Sequence, residues 1–581
     1  MNLRRLSFFI ALLLAALAAV PGEALARTMF EHVQFFAGLK DRSTGSEGGE
    51  KAADYILKAF EDAGLKEVGV QKLLTPVPEN QQASLEVDGR AWPLHPWGPN
   101  LVYLSKTPKE GLQGPLLYVG SGGFEQLDGK AIEGAIVLMD MGTSGNWWTL
   151  AMLGARAVVY VGSADTVRGE LEEKNTNTPL AFPRFWVPPD TGRELVARAL
   201  GGAPTCTIKS DTRWSNKMVR NCYGFLPGRK DSLKGELVIL DAFYDASSHV
   251  LGTAPGADEA TSIAAMLVTL EELAKHPPDR PVLFLATVGN GQGLAGMREF
   301  VWAITTRKKI LRKQSTTLQD QKRLNDHQLE LMEQPDPFAI SGEKDRQLVW
   351  DLLVEKAKDR ADLLTRESQY RKALGQEGGL ELLEEARPYR RLSWRTTMDG
   401  LTESEKTLAR SLLQEALTQF KAKRREIKSR YEVVRSANTL RSLLDDYTPV
   451  LYLSLYLSTH SPYAGLMEMG ETYPVREGVK RVTRATRLGE IFGKTSQDVA
   501  AALGMPSLFR QIGKVLASED YIGRSSVSAH PCCDVGALAG LPTVALTSLD
   551  NSRKYWSTPN DTIDSVDREV LARFERFLPP V

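Results

Sequence analysis

Two stretches of this chain alternate strand-like and helix-like patterns, and a long segment of different character separates them. In residues 221–300, the apolar run Glu236–Asp241 precedes an apolar-periodic segment at Thr261–Lys275. Residues 450–581 resume the same alternation. Strands that alternate with helices form mostly parallel sheets whose two faces are covered by those helices. The pattern therefore predicts an α/β fold with a mostly parallel mixed sheet.

The separating segment, residues 305–447, is charged and strongly helical in pattern. Thr402–Thr448 contains neither Gly nor Pro, and its apolar residues recur at mostly helical spacing with Lys and Arg on the opposite face. Such helices cannot bury an apolar stripe alone, so they are expected to pair as a hairpin or to dock on the rest of the chain. Two roles stay open for this helical insertion: a solvated structural element, or a docking arm for a protein or peptide partner or for self-association.

The N-terminus has the pattern of a secretory signal peptide. Arg4 and Arg5 precede the apolar run Leu6–Val20, and a small-residue site ends at Ala26. We expect cleavage after Ala26 and a secreted or periplasmic protein, with an uncleaved anchor as the alternative. No later stretch is long and apolar enough to predict a transmembrane span.

The charge balance gives no electrostatic reason to expect a nucleic-acid partner. The chain contains 72 Lys and Arg residues and 72 Asp and Glu residues. The basic run Lys421–Arg425 is interpreted as a solvated helix face. No nucleic acid is therefore expected among the partners.

Four cysteines are compatible with an oxidising compartment but define no disulfide framework. Cys206 and Cys222 are candidates for a bridge between two domains. Cys532 and Cys533 are adjacent, and a bond between them would be strained. We interpret that pair as two buried thiols.

Short strands with glycine turns characterise residues 92–215. The buried-strand patterns are Pro115–Val119, Ala135–Met139 and Ala157–Val161. This arrangement resembles the protease-associated domain, which accompanies several secreted peptidases without itself performing chemistry. The alternative is a generic small α/β module. The preceding segment, residues 27–91, predicts a helix that Gly64 ends, followed by a short strand at Lys66–Lys72.

Five short motifs occur in an order that resembles the co-catalytic zinc aminopeptidases of peptidase family M28. The motifs are Arg42–Ser46, Phe225–Gly228, Ala254–Asp258, Gly293–Gly296 and Thr558–Thr562. The resemblance implies a zinc-exopeptidase-like three-layer core with an added protease-associated domain. The implied organisation is a signal peptide (1–26), a core in three parts (27–91, 216–304 and 448–581), a protease-associated-like domain (92–215) and the helical insertion (305–447).

The same resemblance locates the positions at which the family holds two zinc ions and a general base. The residues at those positions here are Phe243, Glu259, Asn290, Gly291, Tyr456 and Ser557. Phenyl, phenol and glycine at ligand positions cannot replace His or carboxylate, and Asn290 cannot serve as the general base. The resemblance therefore implies no intact catalytic residue, no zinc and no other cofactor; only Glu259 keeps a carboxylate.

Other polar residues of the family's cleft region remain in this chain. They are Asp245, His249, His460, His530 and Asp561. A repurposed metal site built from these histidines with Asp245 and Glu259 is an alternative, although a lone loop His is more often a solvated or hydrogen-bonded side chain.

The leading hypothesis for function is a secreted, catalytically inactive relative of these peptidases that acts as a binding or assembly protein. The transferrin receptor ectodomain resembles the same pair of domains without peptidase activity. The alternative is an active metallopeptidase of aminopeptidase or carboxypeptidase type that uses zinc through non-standard ligands. A purely structural envelope component is a third possibility that the sequence does not separate from the first.

Overall fold

The computed structural model describes most of the chain. The described residues are 27–142, 146–175, 179–467, 479–510, 535–536, 539–549 and 553–580. The predicted signal peptide (1–26), His530, Cys532 and Cys533 lie outside them. The chain divides into two compact units, the first within Met1–Thr305 and Leu440–Val581 and the second Thr306–Thr439.

The first unit contains the strands. They are β1 Lys66–Val87, β2 Arg90–Pro93, β3 His95–Pro96, β4 Leu112–Tyr118, β5 Ile136–Asp140, β6 Ala157–Val161, β7 Arg184–Val187, β8 Thr205–Leu226, β9 Glu236–Phe243, β10 Val282–Thr287, β11 Thr448–Tyr456, β12 Ala464–Met467 and β13 Thr543–Ser548.

Helices occur in both units. They are α1 Met29–Gly38, α2 Glu47–Asp62, α3 Phe124–Leu127, α4 Trp147–Met152, α5 Arg168–Glu172, α6 Pro189–Leu200, α7 Thr261–Lys275, α8 Ala295–Thr305, α9 Lys308–Met332, α10 Glu343–Ala373, α11 Gly379–Ser393, α12 Glu403–Leu443, α13 Val479–Ala502 and α14 Arg568–Phe577. Among the described residues, no helix has the length and apolar character needed to cross a membrane.

The central part of the sheet is parallel and its edges are antiparallel. The strand order is β8-β10-β9-β11-β13-β12. Strands β10, β9, β11 and β13 run parallel, whereas β8 and β12 run antiparallel to their neighbours. Helices α1, α7 and α14 pack together and share the largest apolar cluster with this sheet. The predicted α/β fold with a mostly parallel mixed sheet is confirmed.

A long two-stranded ribbon joins this sheet to a second set of strands. Strand β1 pairs antiparallel with β8 from Lys66 opposite Phe225 to Val87 opposite Cys206. Strand β4 also pairs with β8 and leads into the parallel order β4-β5-β6-β7. Strands β4, β5 and β6 coincide with the three apolar runs predicted between residues 92 and 215.

The ribbon corrects two expectations from the sequence. The predicted strand Lys66–Lys72 is only the beginning of β1, because pairing with β8 extends it through a polar, Pro-containing segment that has no clear alternation. Cys206 and Cys222 lie on one strand and are both buried free thiols. Sixteen residues of extended strand separate them by about 50 Å, so the predicted candidate bridge between them is wrong.

The second unit consists of α9, α10, α11 and most of α12. Its apolar core includes Leu353 and Ala357 from α10 together with Leu412, Ala416 and Phe420 from α12. Helices α10 and α11 form a hairpin with a short connection. The sequence pattern predicted helices through these residues because their apolar side chains recur on one face.

Candidate functional site

The candidate site lies at the carboxyl ends of neighbouring parallel strands, where open α/β sheets place their sites. Phe243 is the last residue of β9, and Tyr456 is the last residue of β11. These strands pair directly, and β10, which leads to Asn290, pairs with β9 on its other side. The sheet therefore brings distant parts of the sequence to one edge.

Three buried aromatic rings occupy the centre of this site. Phe243, Tyr456 and Trp556 are each 1–2% exposed and form their own apolar cluster. The Phe243 ring centroid lies 5.8 Å from those of Tyr456 and Trp556, and the last two lie 5.1 Å apart. The Arg553 guanidinium lies 4.3 Å from the Tyr456 ring centroid and donates a hydrogen bond to the Tyr456 carbonyl. Two positions at which the resemblance implies metal ligands are thus occupied by packed apolar side chains.

Both oxygens of the Glu259 carboxyl accept hydrogen bonds from the backbone. Ser247 N donates to one oxygen at 3.0 Å and Ser557 N donates to the other at 2.9 Å. The hydroxyls of Ser247 and Ser557 also pair at 2.7 Å. Complete burial raises the pKa of Glu259 to about 7. The Glu259 side chain therefore joins the loop that contains Ser247 to the loop that contains Ser557.

Gly291 and Asn290 lie in a tight turn after β10. A Cβ added at Gly291 would lie 2.9 Å from the Ser247 Cβ, closer than two side-chain carbons approach. The backbone N–H groups of Gly289 and Asn290 donate to Asp245, at 2.7 and 3.3 Å. Residue 291 therefore has no room for a side chain unless Ser247 moves.

Asp245 has its carboxyl fully occupied by neighbouring donors. Besides the turn N–H groups, the Thr44 hydroxyl donates to it. Burial nevertheless raises the pKa of Asp245, because desolvation outweighs these hydrogen bonds. The residue holds the first motif, which contains Thr44, against the turn after β10.

Asp258 and Asp561 form a second layer of buried carboxyls. Asp561 accepts hydrogen bonds from the backbone of Asp258 and Glu259, at 2.7 and 3.3 Å. Asp258 accepts hydrogen bonds from Trp556 Nε1 at 2.7 Å and from Thr459 N at 2.6 Å. Burial, with the nearby carboxyls, raises the pKa of Asp561 to about 8.

Arg42 is a fully buried cation of this region. Its side chain is 0% exposed and donates to the Gly256 carbonyl at 2.6 Å. The nearby carboxyls of Glu259, Asp561 and Asp245 favour its charged form. The sequence analysis placed Arg42 in a motif without assigning it a role. It did not identify Trp556, although the position of this residue directly before Ser557 was an available signal.

The two described cleft histidines do not converge on the carboxyls that were predicted beside them. His460 Nδ1 lies 3.4 Å from Asp258, and its Nε2 lies 2.8 Å from the Ser565 carbonyl. The His249 ring instead stacks near Trp97, and burial lowers its pKa to about 4. Only the His249 backbone reaches the site, by donating to the Ser557 carbonyl.

The residues at this edge do not fit a pair of zinc ions. Within the described part of the chain, no group of three or more His, Cys, Asp or Glu side chains is placed to hold a metal ion. Aromatic rings stand at two positions where the resemblance implies ligands, and the Glu259 oxygens already accept backbone hydrogen bonds. His530, the remaining candidate, lies outside the described residues.

Comparison with protein families matches part of this chain. Residues 221–371 match the model of peptidase family M28. Comparison with curated proteins gives no match. The predicted resemblance to zinc aminopeptidases of this family is confirmed by the family match.

Several solved structures are similar at low sequence identity. A zinc aminopeptidase from Bacillus subtilis is 15% identical, covers 96% of this chain and 93% of its own, and gives a TM-score of 0.47. A peptidase M28 precursor from Shewanella amazonensis is 13% identical, with coverages of 95% and 91% and a TM-score of 0.44. The gamma-secretase component nicastrin is 9% identical, with coverages of 87% and 73% and a TM-score of 0.42.

Proposed function

We propose that this chain, an aminopeptidase-like protein of peptidase family M28, is catalytically inactive and acts by binding a protein or peptide partner. The observation that supports inactivity best is the aromatic cluster of Phe243, Tyr456 and Trp556 at the carboxyl edge of the sheet. In the proposal, these rings replace the metal ions as the element that holds the loops of this edge together. We further propose that the protein is secreted or periplasmic.

The buried carboxyls support the same proposal. A co-catalytic metal centre needs carboxylates with free lone pairs directed at the metals. Here Glu259 and Asp258 direct their oxygens at backbone, hydroxyl and indole donors. A carboxyl of this kind has its lone pairs engaged by donors and stabilises the loops that carry those donors.

Inactivity is tested by hydrolysis of leucine p-nitroanilide and of short peptides. The purified protein is assayed with added zinc, with a chelator, and without either. We expect no release above the buffer rate under all three conditions. Release that the chelator abolishes and zinc restores would contradict the proposal and support the metallopeptidase alternative.

The helical unit is the proposed surface for the partner. Seven large apolar side chains in Thr306–Thr439 are exposed by 47% or more. They are Ile310, Leu324, Leu363, Tyr370, Leu374, Leu380 and Trp394. Tyr370, Leu374 and Leu380 lie in or beside the connection between α10 and α11, so three of these exposed apolar side chains are grouped near the tip of this hairpin.

Substitution of the hairpin tip tests this surface. Because Tyr370, Leu374 and Leu380 are exposed by 53–78%, changing all three to Ser should leave the fold intact. We expect the variant to lose its co-purifying partner or its self-association, measured by light scattering and affinity capture from the native host. The matched control is Leu200→Ser, which changes a 70% exposed apolar residue of the first unit. Equal retention of the partner by both variants would refute the docking role.

A further inference from the structure

A tight turn in the first unit exposes apolar side chains at its tip. Asn100 and Tyr103 exchange both backbone hydrogen bonds, at 2.9 and 3.1 Å, so Leu101 and Val102 form a two-residue tip. Leu101 and Val102 are 50% and 67% exposed, and Tyr103 beside them is 45% exposed. The indole N–H of Trp214, a residue that is 43% exposed, donates to the Val102 carbonyl at 3.0 Å. Four large apolar or aromatic side chains are therefore exposed together.

Leu101 adopts a backbone conformation that leucine rarely takes. Its φ is +55°, in the left-handed region that favours glycine. Glycine is the preferred residue at a first tip position of this kind in two-residue turns. It would remove both the backbone strain and the exposed apolar surface. Strained backbone conformations cluster at binding and active sites, so a leucine here requires an explanation in terms of function.

The base of the turn is held by buried polar contacts with one face of β8. The hydroxyls of Ser210 and Thr212 both donate to the Ser105 carbonyl, at 2.7 and 3.3 Å. The Asn100 side-chain amide donates to the Leu180 carbonyl at 2.9 Å. Because these contacts fix the base, holding the tip against a partner orders few additional groups and costs little conformational entropy.

The segment that carries the tip and the ribbon face beside it are uncharged. Residues 91–105 contain no Asp, Glu, Lys or Arg. Side chains along the β1–β8 ribbon alternate between two faces, and directly opposed residues share a face. The face that holds the turn consists here of Thr212, Trp214 and Asn216 with their partners Asn80, Pro78 and Pro76. Glu79 points to the opposite face, where it pairs with Arg213 and Lys217. Charge is thus kept off the face beside the tip.

We propose that this tip, formed by Leu101, Val102, Tyr103 and Trp214, inserts into the surface of a lipid bilayer. A two-residue turn is a projection and not a groove, which suits a fluid apolar layer better than a rigid protein surface. Trp and Tyr are enriched at membrane–water interfaces, and apolar side chains such as Leu and Val enter the boundary between headgroups and acyl chains.

Hydrogen bonds within the tip lower the cost of removing it from water. The backbone bonds between Asn100 and Tyr103 and the bond from Trp214 to the Val102 carbonyl satisfy polar groups that would otherwise lose their hydration. The tip belongs to the first unit. The proposal is therefore independent of the partner surface proposed for the helical unit and of catalytic inactivity.

The test is flotation with phospholipid vesicles. The protein without residues 1–26 is used, because that apolar run would bind vesicles by itself. Vesicles of phosphatidylcholine are compared with vesicles that also contain phosphatidylglycerol. We expect the protein to float with both, with little dependence on salt, because the tip is uncharged. No flotation with either would overturn the proposal. Flotation only with phosphatidylglycerol, abolished by salt, would also overturn it and would indicate binding through exposed basic side chains.

Leu101→Gly separates membrane insertion from a structural role. Glycine accepts a φ of +55° without strain, so the urea midpoint should not fall. The substitution removes an apolar side chain from the tip, so we expect the affinity for vesicles to fall about tenfold. The matched control is Leu200→Ser, which changes a 70% exposed leucine outside the tip and should leave vesicle binding unchanged.

Three results of this comparison would contradict the proposal. The first is equal vesicle affinity of Leu101→Gly and the parent protein, and the second is an equal loss of affinity in Leu101→Gly and Leu200→Ser. The third is self-association of the parent protein without lipid that Leu101→Gly abolishes, measured by light scattering, because the tip would then bind a second copy of the chain.

Discussion

Replacement of Phe243 by His tests whether aromatic packing has taken over a position at which the family resemblance implies a metal ligand. Phe243 is 1% exposed, and its ring contacts the rings of Tyr456 and Trp556 at 5.8 Å. The substitution removes two aromatic contacts, each about 0.5–1.5 kcal/mol. It also buries an imidazole among apolar rings, which costs about 1–3 kcal/mol when no partner is available. We expect the free energy of unfolding to fall by about 2–6 kcal/mol.

Urea unfolding followed by tryptophan fluorescence measures this change. Of the ten tryptophans, only Trp350 and Trp394 lie in residues 306–439, so the signal reports mainly the unit that contains residue 243. Phe124→His is the control, because Phe124 is 83% exposed and its loss should change the stability by less than about 0.5 kcal/mol. The reasoning is refuted if Phe243→His is as stable as the parent protein, or if it gains a tightly bound zinc ion.

Three further outcomes follow from the buried groups. Burial raises the pKa of Glu259 to about 7 and that of Asp561 to about 8, so the folded chain keeps protons that the unfolded chain releases near pH 4. The free energy of unfolding should therefore fall as pH rises from about 4 to 8, by up to about 1.4 kcal/mol per pH unit for each carboxyl, and Asp561→Asn should flatten the profile of urea midpoints. The pKa values of the Cys206 and Cys222 thiols are raised to about 12 by burial, so iodoacetamide should label both only after unfolding, as peptide mass mapping would show. Asp258→Ala should lower the free energy of unfolding by about 3–5 kcal/mol in urea titrations, because it leaves the Trp556 indole and a backbone N–H without an acceptor.

The sheet and the helical unit were predictable because their signals are local. Buried parallel strands such as Val282–Thr287 appear as continuous apolar runs, and the apolar residues of α12 recur at helical spacing. The motif order also located the edge of the sheet to which Phe243 and Tyr456 belong. The strand and helix predictions need only a window of neighbouring residues, whereas the motif order uses the whole chain.

The remaining features depend on contacts between distant residues. Strand β1 extends to Val87 because β8 pairs with it along its whole length, and that partner lies more than a hundred residues later. The aromatic cluster needs Trp556 beside Phe243, and the one signal for this in the sequence is the position of Trp556 directly before Ser557. His249 was predicted in the cleft by its nearness to Asp245 in sequence, yet its ring turns to Trp97. Nearness in sequence fixed the backbone of that loop but not the direction of the side chain.

Metal content tests the central claim most directly. The purified protein is loaded with excess zinc, passed through a desalting column and measured by elemental analysis. Because aromatic rings stand at two ligand positions and Glu259 is held by backbone N–H groups, we expect far less than one zinc ion per chain. Two zinc ions per chain, retained through desalting and removed only by a strong chelator, would contradict the proposal of a catalytically inactive member of peptidase family M28.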